Sequence, residues 1–188
     1  MRIIAGSARG RTIETQKGTG TRPTADRVKE SVFSILQARL QGARVLDLFA
    51  GSGAMGLEAL SRGAAHAVLA DHDPACVRLI RKNADRLGFT GRCTVVCGEC
   101  GTVLRGMQGG PRFDLVFLDP PYASGLLAEA LHGLFGWELL AKGAVVACEH
   151  GAGTIIEDDA RMRYAVCDRR RYGRTGYTFV MARGEEKV

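Results

Sequence analysis

Apolar positions along this chain change period again and again. Short apolar runs at 44–48, 66–70, 93–97, 114–118 and 144–148 read as buried strands, and between them lie stretches with apolar residues at helical spacing. The first such stretch precedes the first run. Val28, Val32, Ile35, Leu36 and Leu40 share one face over 25–40, Thr24 stands as the N-cap, and Gly42 ends the pattern. Helices follow at 54–62, closed by Gly63; at 74–87, closed by Gly88; around 100–106; and at 124–135. Asp73-Pro74 is a clean helix start, a capping carboxylate followed by a proline at the first helical position. The strand–helix alternation predicts a doubly wound, Rossmann-like α/β fold: a mostly parallel, seven-stranded sheet with helices on both faces. Its last two strands, 162–168 and 175–182, are joined by RRRYGR with no room for a helix, so they form an antiparallel C-terminal hairpin. Arg2–Ala5 and Arg11–Thr15 read as a small N-terminal hairpin, too small to stand without support. With no repeat or linker visible, one domain over 1–188 is expected, divided into a basic extension at 1–22 and a catalytic core at 23–188.

Composition narrows the class. At 46% apolar and 24% charged residues the chain is ordinary for a soluble globular protein, and no apolar run is long enough to cross a membrane. The start, MRIIAGSARGR, lacks the apolar segment of a signal peptide, so a cytoplasmic protein with reduced thiols is expected. Cys97-x-x-Cys100 with Cys93 nearby invites a zinc reading, but no second pair follows at suitable spacing and no metal is expected. Charge is segregated. Residues 1–44 hold nine Lys/Arg against three Asp/Glu, residues 45–160 hold nine against fourteen, and residues 161–188 hold eight against three. Basic ends around an acidic centre point to a polyanionic partner, most simply nucleic acid. Arg2, Arg9, Arg11 and Arg22 at one end and Arg169, Arg170 and Arg171 at the other are the candidate phosphate contacts.

In an open parallel sheet, ligands bind beyond the carboxyl ends of the strands. The first strand ends in Asp47 and a glycine turn, Gly51-Ser52-Gly53-Ala54-Met55-Gly56. Its spacing matches the dinucleotide fingerprint, but a pyrophosphate gains nothing from Asp47, whereas a cationic ligand does. Asp71, after the second strand, is placed to accept from ribose hydroxyls. Glu99 and Cys100 follow the third, where a carboxylate could meet a purine amino group. The fourth ends in Asp119-Pro120-Pro121-Tyr122. Two prolines hold that turn rigid and leave carbonyls free to accept. An aspartate and a proline carbonyl together suit the two hydrogens of a planar exocyclic amine, and the tyrosine ring can stack on the base.

DLFAGSG with a later DPPY resembles the class I S-adenosylmethionine-dependent methyltransferases that act on exocyclic amines of nucleic acid bases. MRIIAGSARGR, RPTADRVKESVFSIL, LDLFAGSGAMGLEALSRGA and RYGRTGYTFV narrow the resemblance, over nearly the whole chain, to the bacterial guanine-N2 methyltransferases of small-subunit ribosomal RNA, the RsmD family. The resemblance implies S-adenosylmethionine as cofactor, with Gly51 and Gly53 along its methionine part, Asp47 near its amino group, Asp71 on the ribose and Glu99 at the adenine edge. It implies that Arg22, Pro23 and Thr24 form a loop over cofactor and base, and that Asp119, Pro120 and Tyr122 hold a flipped guanine. The partner would be ribosomal RNA or an assembling small subunit, met by a monomer. Glu99 departs from the family, which more often has Asp or Asn there. Three rivals remain: an adenine-N6 methyltransferase, which shares the D/N-P-P-Y/F motif; a nicotinamide-dependent oxidoreductase, which explains GSGAMG and Asp71 but not DPPY; and a non-catalytic RNA-binding protein.

Overall fold

Strands and helices alternate from residue 23 onward much as the apolar spacing predicts. The computed structural model describes residues 1–16, 23–122 and 124–183, without the side chains of Pro23, Thr24 and Ala25. Its elements are α1 (Pro23–Leu36), β1 (Arg44–Asp47), α2 (Ala54–Ser61), β2 (His66–Asp71), α3 (Pro74–Leu87), β3 (Cys93–Cys97), α4 (Cys100–Arg105), β4 (Phe113–Leu118), α5 (Leu126–Gly136), β5 (Leu140–Gly151), β6 (Tyr164–Tyr172) and β7 (Thr175–Ala182). The sheet is seven-stranded and mostly parallel. The chain forms two compact units, Met1–Gly98 and Glu99–Val188. No helix among the described residues is long and apolar enough to cross a membrane.

In the first unit β3, β2 and β1 lie side by side, all parallel, with Leu46 opposite Val68 and Val68 opposite Thr94. Helices α2 and α3 pack on these strands, and a parallel sheet of this kind needs apolar residues on both faces. Val45, Leu46, Ala67, Leu69 and Ala70 supply them and are all buried. Helix α3 has the expected ends: Asp73 accepts from the Ala75 N–H at 2.7 Å, Pro74 opens the first turn, and Gly88 closes it. Helix α1 differs. It starts at Pro23, which puts Thr24 inside the helix rather than at its cap; a proline with φ preset for the first turn can begin a helix by itself. Its buried face is also turned by about one position. Lys29, Val32, Phe33, Leu36 and Leu40 are buried, whereas Val28 and Ile35 are half-buried. Lys29 is drawn in by Glu58, and the Arg62 guanidinium lies 4.8 Å over the Phe33 ring.

The N-terminal hairpin reduces to one bridged pair, Arg2 with Thr12, flanked by main-chain bonds from Ile3 N–H to Arg11 O and from Ile13 N–H to Met1 O. Its support is α2. Glu58, fully buried, accepts from the Ile4 N–H at 2.8 Å and the Ala5 N–H at 3.0 Å, and pairs with Lys29 at 3.1 Å and Arg62 at 2.8 Å. Ser61 donates to Ala5 O and accepts from the Ala8 N–H. Ile3, Ala8 and Ile13 are buried by this docking. The hairpin is thus part of the fold and not an appendage.

The second unit orders its strands β4-β5-β7-β6, with β4 and β5 parallel and the last two pairings antiparallel. Strand β5 is longer than expected at both ends, and β6 runs on through the arginines to Tyr172. The run RRR, expected in the connection, therefore sits on an edge strand. Charged side chains are what an edge strand tolerates, because they discourage pairing with another chain. Helices α4 and α5 pack closely at Gly133, where an added Cβ would come within 2.9 Å of Leu104.

Removing the Glu58 carboxylate leaves Lys29 buried beside two orphaned main-chain donors. Glu58→Ala is expected to lower stability by about 3–5 kcal/mol, read by denaturant unfolding. A loss near zero would show that the N-terminal segment is not held this way.

Candidate active site

Carboxylates at two strand ends shape the glycine turn. Asp47 closes β1 and accepts from the Gly56 N–H at 2.9 Å; Asp71 closes β2 and accepts from the Gly51 N–H at 2.8 Å and the Asp73 N–H at 2.9 Å. Gly51 and Gly53 have φ of +54° and +81°, which side chains rarely adopt. Gly56 is needed for a different reason: its added Cβ would lie 2.7 Å from Leu69, so the third glycine lets α2 approach the sheet. An added Cβ at Gly51 would meet nothing within 4 Å, so main chain is bared there toward open space. Asp47 is buried, and burial pushes its carboxyl up to about 7, against the Gly56 bond and with a push from nearby Asp71. Each Asp71 oxygen holds one main-chain donor, and His72 Nδ1 lies 3.5 Å from Oδ1.

Asn83 was not singled out in the sequence, yet it braces this turn. Its amide donates to Ser52 O and Glu14 O, both at 2.9 Å, and accepts from the Glu14 N–H. The only local signal was a polar residue on the apolar face of an otherwise regular helix.

In the second unit Glu99 takes the N-cap position of α4 without a side-chain cap bond, and is exposed. Cys100 beside it is buried, and burial, then Glu129 and Glu99, pushes its thiol up to about 11. Asp119 follows β4 and is exposed, whereas Pro120 is buried. The Tyr122 ring is half exposed, and its hydroxyl reaches Glu149 at 3.2 Å and Thr175 at 3.3 Å. The ring lies against Gly151, whose added Cβ would be 3.9 Å from Cδ2. Tyr177, buried, donates to the other Glu149 oxygen. Burial chiefly, with the Glu149 and Asp119 charges, raises both phenols above their ordinary range. Pro120, Pro121, Tyr122 and Glu149 stand at a cleft of about 710 Å³ whose walls include Leu127, Leu131, Ile155 and Ile156. That volume is in the usual range for a small-molecule site. Glu149 and Thr175 were missed in the sequence. Glu149 carries the same signal as Asp47, a carboxylate at the carboxyl end of an apolar run.

The basic residues have separate fates. Arg2 and Arg9 are exposed. Arg11 is turned inward, donating to Leu87 O at 3.2 Å and to Arg86 O at the end of α3. Arg169, Arg170 and Arg171 are exposed on β6; Arg169 also donates to Ile156 O, and Arg170 pairs with Asp168 at 2.9 Å. Arg22 and the Thr24 side chain lie outside the described residues.

A family model described as conserved hypothetical protein 95 matches residues 1–181. Ribosomal RNA small subunit methyltransferase D of Escherichia coli (strain K12) is 42% identical over 151 residues, 79% of this chain and 74% of that one. The solved structure of the Escherichia coli protein yhhF is 33% identical, covers 98% of this chain and 99% of that chain, and superposes with a TM-score of 0.87. An O-methyltransferase from Bacillus cereus, solved with SAH, shares the fold at a TM-score of 0.65 and 14% identity, over 88% of this chain and 84% of that one.

The raised Asp47 carboxyl makes stability depend on pH. Its folded pKa lies above the ordinary 3.8, so its contribution is whole below about 4 and is lost as pH rises through about 7. The melting temperature of ligand-free protein is expected to fall between about pH 4 and 7. Asp47→Asn, whose amide oxygen can still accept from Gly56, should flatten that part of the curve. An unchanged slope would show that Asp47 is not the titrating group.

Proposed function

The chain belongs to the conserved hypothetical protein 95 family, the RsmD family that its motifs resemble, and on that footing we propose that it transfers the methyl group of S-adenosylmethionine to the exocyclic N2 amine of a guanine in small-subunit ribosomal RNA. Methylation of ribosomal RNA with S-adenosylmethionine is the activity its relatives carry; guanine N2 as the acceptor is the finer reading. The observation that carries it is the rigid turn after β4, in which Pro120 and Pro121 line a largely apolar cleft beside a tyrosine ring fixed at its hydroxyl and directly follow Asp119.

The residues of the glycine turn fit this cofactor better than a dinucleotide. The stretch from Asp47 to Gly56 has no Lys or Arg to meet a pyrophosphate, and two carboxylates stand over it. Asp47 suits an α-ammonium group, Asp71 suits ribose hydroxyls, and the bared main chain at Gly51 and Gly53 allows close approach. When bound, S-adenosylmethionine supplies a sulfonium methyl already activated for transfer, so no covalent enzyme intermediate is needed.

The harder task is the acceptor. The guanine amine is planar, its lone pair delocalised into the ring. Asp119 and the Pro120 carbonyl accept its two hydrogens, draw the nitrogen toward tetrahedral geometry and turn the lone pair out of the ring plane. As the nitrogen–carbon bond forms and the carbon–sulfur bond breaks, Asp119 offsets the positive charge that develops on nitrogen, and one of the two N–H protons leaves toward that carboxylate. Fixing the amine in line with the methyl removes much of the entropic barrier, in ideal cases up to roughly 7–11 kcal/mol. Taking a base out of its stack costs on the order of a few kcal/mol, and stacking on Tyr122 offsets part of that. Exposed Arg9 and Arg170 would each attract RNA phosphates.

Asp119→Ala is expected to abolish methyl transfer to ribosomal RNA while leaving S-adenosylmethionine affinity, read by calorimetry, within about twofold. Transfer at the wild-type rate would remove the role given to that carboxylate. Because the N-terminal hairpin is docked on Glu58, phosphate contacts are better tested by substitution than by deletion. Arg9→Glu and Arg170→Glu should each weaken RNA binding and lower its salt slope by about one. Affinities unchanged across salt concentrations would show that neither arginine meets a phosphate.

A further inference from the structure

Asp119 and Pro120 accept from an NH2 group, and guanine N2 and adenine N6 both offer one. The motif therefore does not choose between the two bases, and the choice has to be made by a neighbouring group. What differs beside the amine is N1: in guanine it carries a hydrogen, in adenine it presents a lone pair. A group that only accepts hydrogen bonds, placed next to the DPPY turn, admits guanine and repels adenine.

Among the described side chains that line the cleft, Glu149 meets that condition. Its oxygens are held apart by two phenols, Tyr122 from the turn itself and Tyr177 from β7. Each oxygen keeps a second lone pair, and the carboxylate is half-buried at the cleft wall rather than saturated. Of the other polar groups of that wall, Glu157 is exposed to solvent and two more are already employed. His150 uses one ring nitrogen on Gly151 O and the other on the Thr178 hydroxyl, both at 2.9 Å. Asp159 accepts from the N–H groups of Arg161 and Met162. Tyr122, on whose ring the base would stack, is bonded through its hydroxyl to the same Glu149, so stacking surface and acceptor are set by one contact.

Resting on the guanine reading above, we propose that Glu149 is the specificity-determining residue, accepting the N1–H of the target guanine. The carboxylate discriminates by charge and by having no hydrogen to give. Adenine would set its N1 lone pair against a carboxylate oxygen.

The test separates this role from a merely structural one. A short ribosomal RNA fragment spanning the nucleotide methylated by the wild type is made with guanine or with 2-aminopurine at that position. The analogue keeps the N2 amine but presents a lone pair at N1. Affinity of the SAH-bound enzyme and methyl transfer are measured for both fragments, with wild type, Glu149→Gln and Tyr177→Phe. The wild type should prefer guanine by about 10–100-fold, the worth of one good base contact. Glu149→Gln, which can turn an amide N–H to the N1 lone pair, should bring the ratio to within about threefold of unity. Tyr177→Phe, which only loosens the carboxylate, should weaken both fragments together. An equal loss on both fragments in Glu149→Gln, with the ratio kept, would overturn the assignment of Glu149 alone. Methylation of adenine N6 by the wild type would overturn the guanine reading itself.

Discussion

A carboxylate withdrawn from water has to be met by donors, and residues 1–98 are arranged around that demand. Glu58, Asp47 and Asp71 are all buried. Left unpaired, any of them would cost several kcal/mol. Each is answered by main-chain N–H groups: Ile4 and Ala5 for Glu58, Gly56 for Asp47, Gly51 and Asp73 for Asp71. Three separate pieces of backbone, the N-terminal strand, the start of α2 and the glycine turn, are thereby fixed to the sheet and to each other. Asn83 closes the set by joining Glu14 to Ser52. A glycine turn would otherwise be among the most mobile parts of a fold; here it is fixed, so a ligand bound there would spend less of its binding energy on ordering it.

The second unit handles its acids differently. Asp119 is exposed, and Glu149, half-buried, is held by phenols rather than by backbone. Acids that build the fold spend their bonds on the main chain. Two fixed prolines and a tethered tyrosine set the surroundings of both Asp119 and Glu149.

How much of this could be read in the sequence depended on how local the cause was. Asp73-Pro74 and Gly88 bracket α3 within a few residues of themselves, and both ends came out as expected. The glycine turn and DPPY are equally local. Glu58 was invisible because its donors lie more than fifty residues away and because a glutamate on a short helix reads as a solvated residue. Asn83, reaching back to Glu14, failed to register for the same reason. Helix α1 began earlier than Thr24 suggested because Pro23 competes as a start, and its face turned toward a salt bridge that no periodicity reveals. The three arginines looked like a loop because charge in a strand is unusual, except at an edge. Glu149 was legible in principle: the rule that picked out Asp47 and Asp119, an acid at a strand's carboxyl end, applies to it equally.

Nucleoside mass spectrometry of small-subunit ribosomal RNA, from cells with and without the gene, tests the central claim most directly. The expected result is the loss of one N2-methylguanosine from the small-subunit RNA when the gene is removed, restored by the wild-type chain. An unchanged N2-methylguanosine content, or the loss of an N6-methyladenosine in its place, would contradict it.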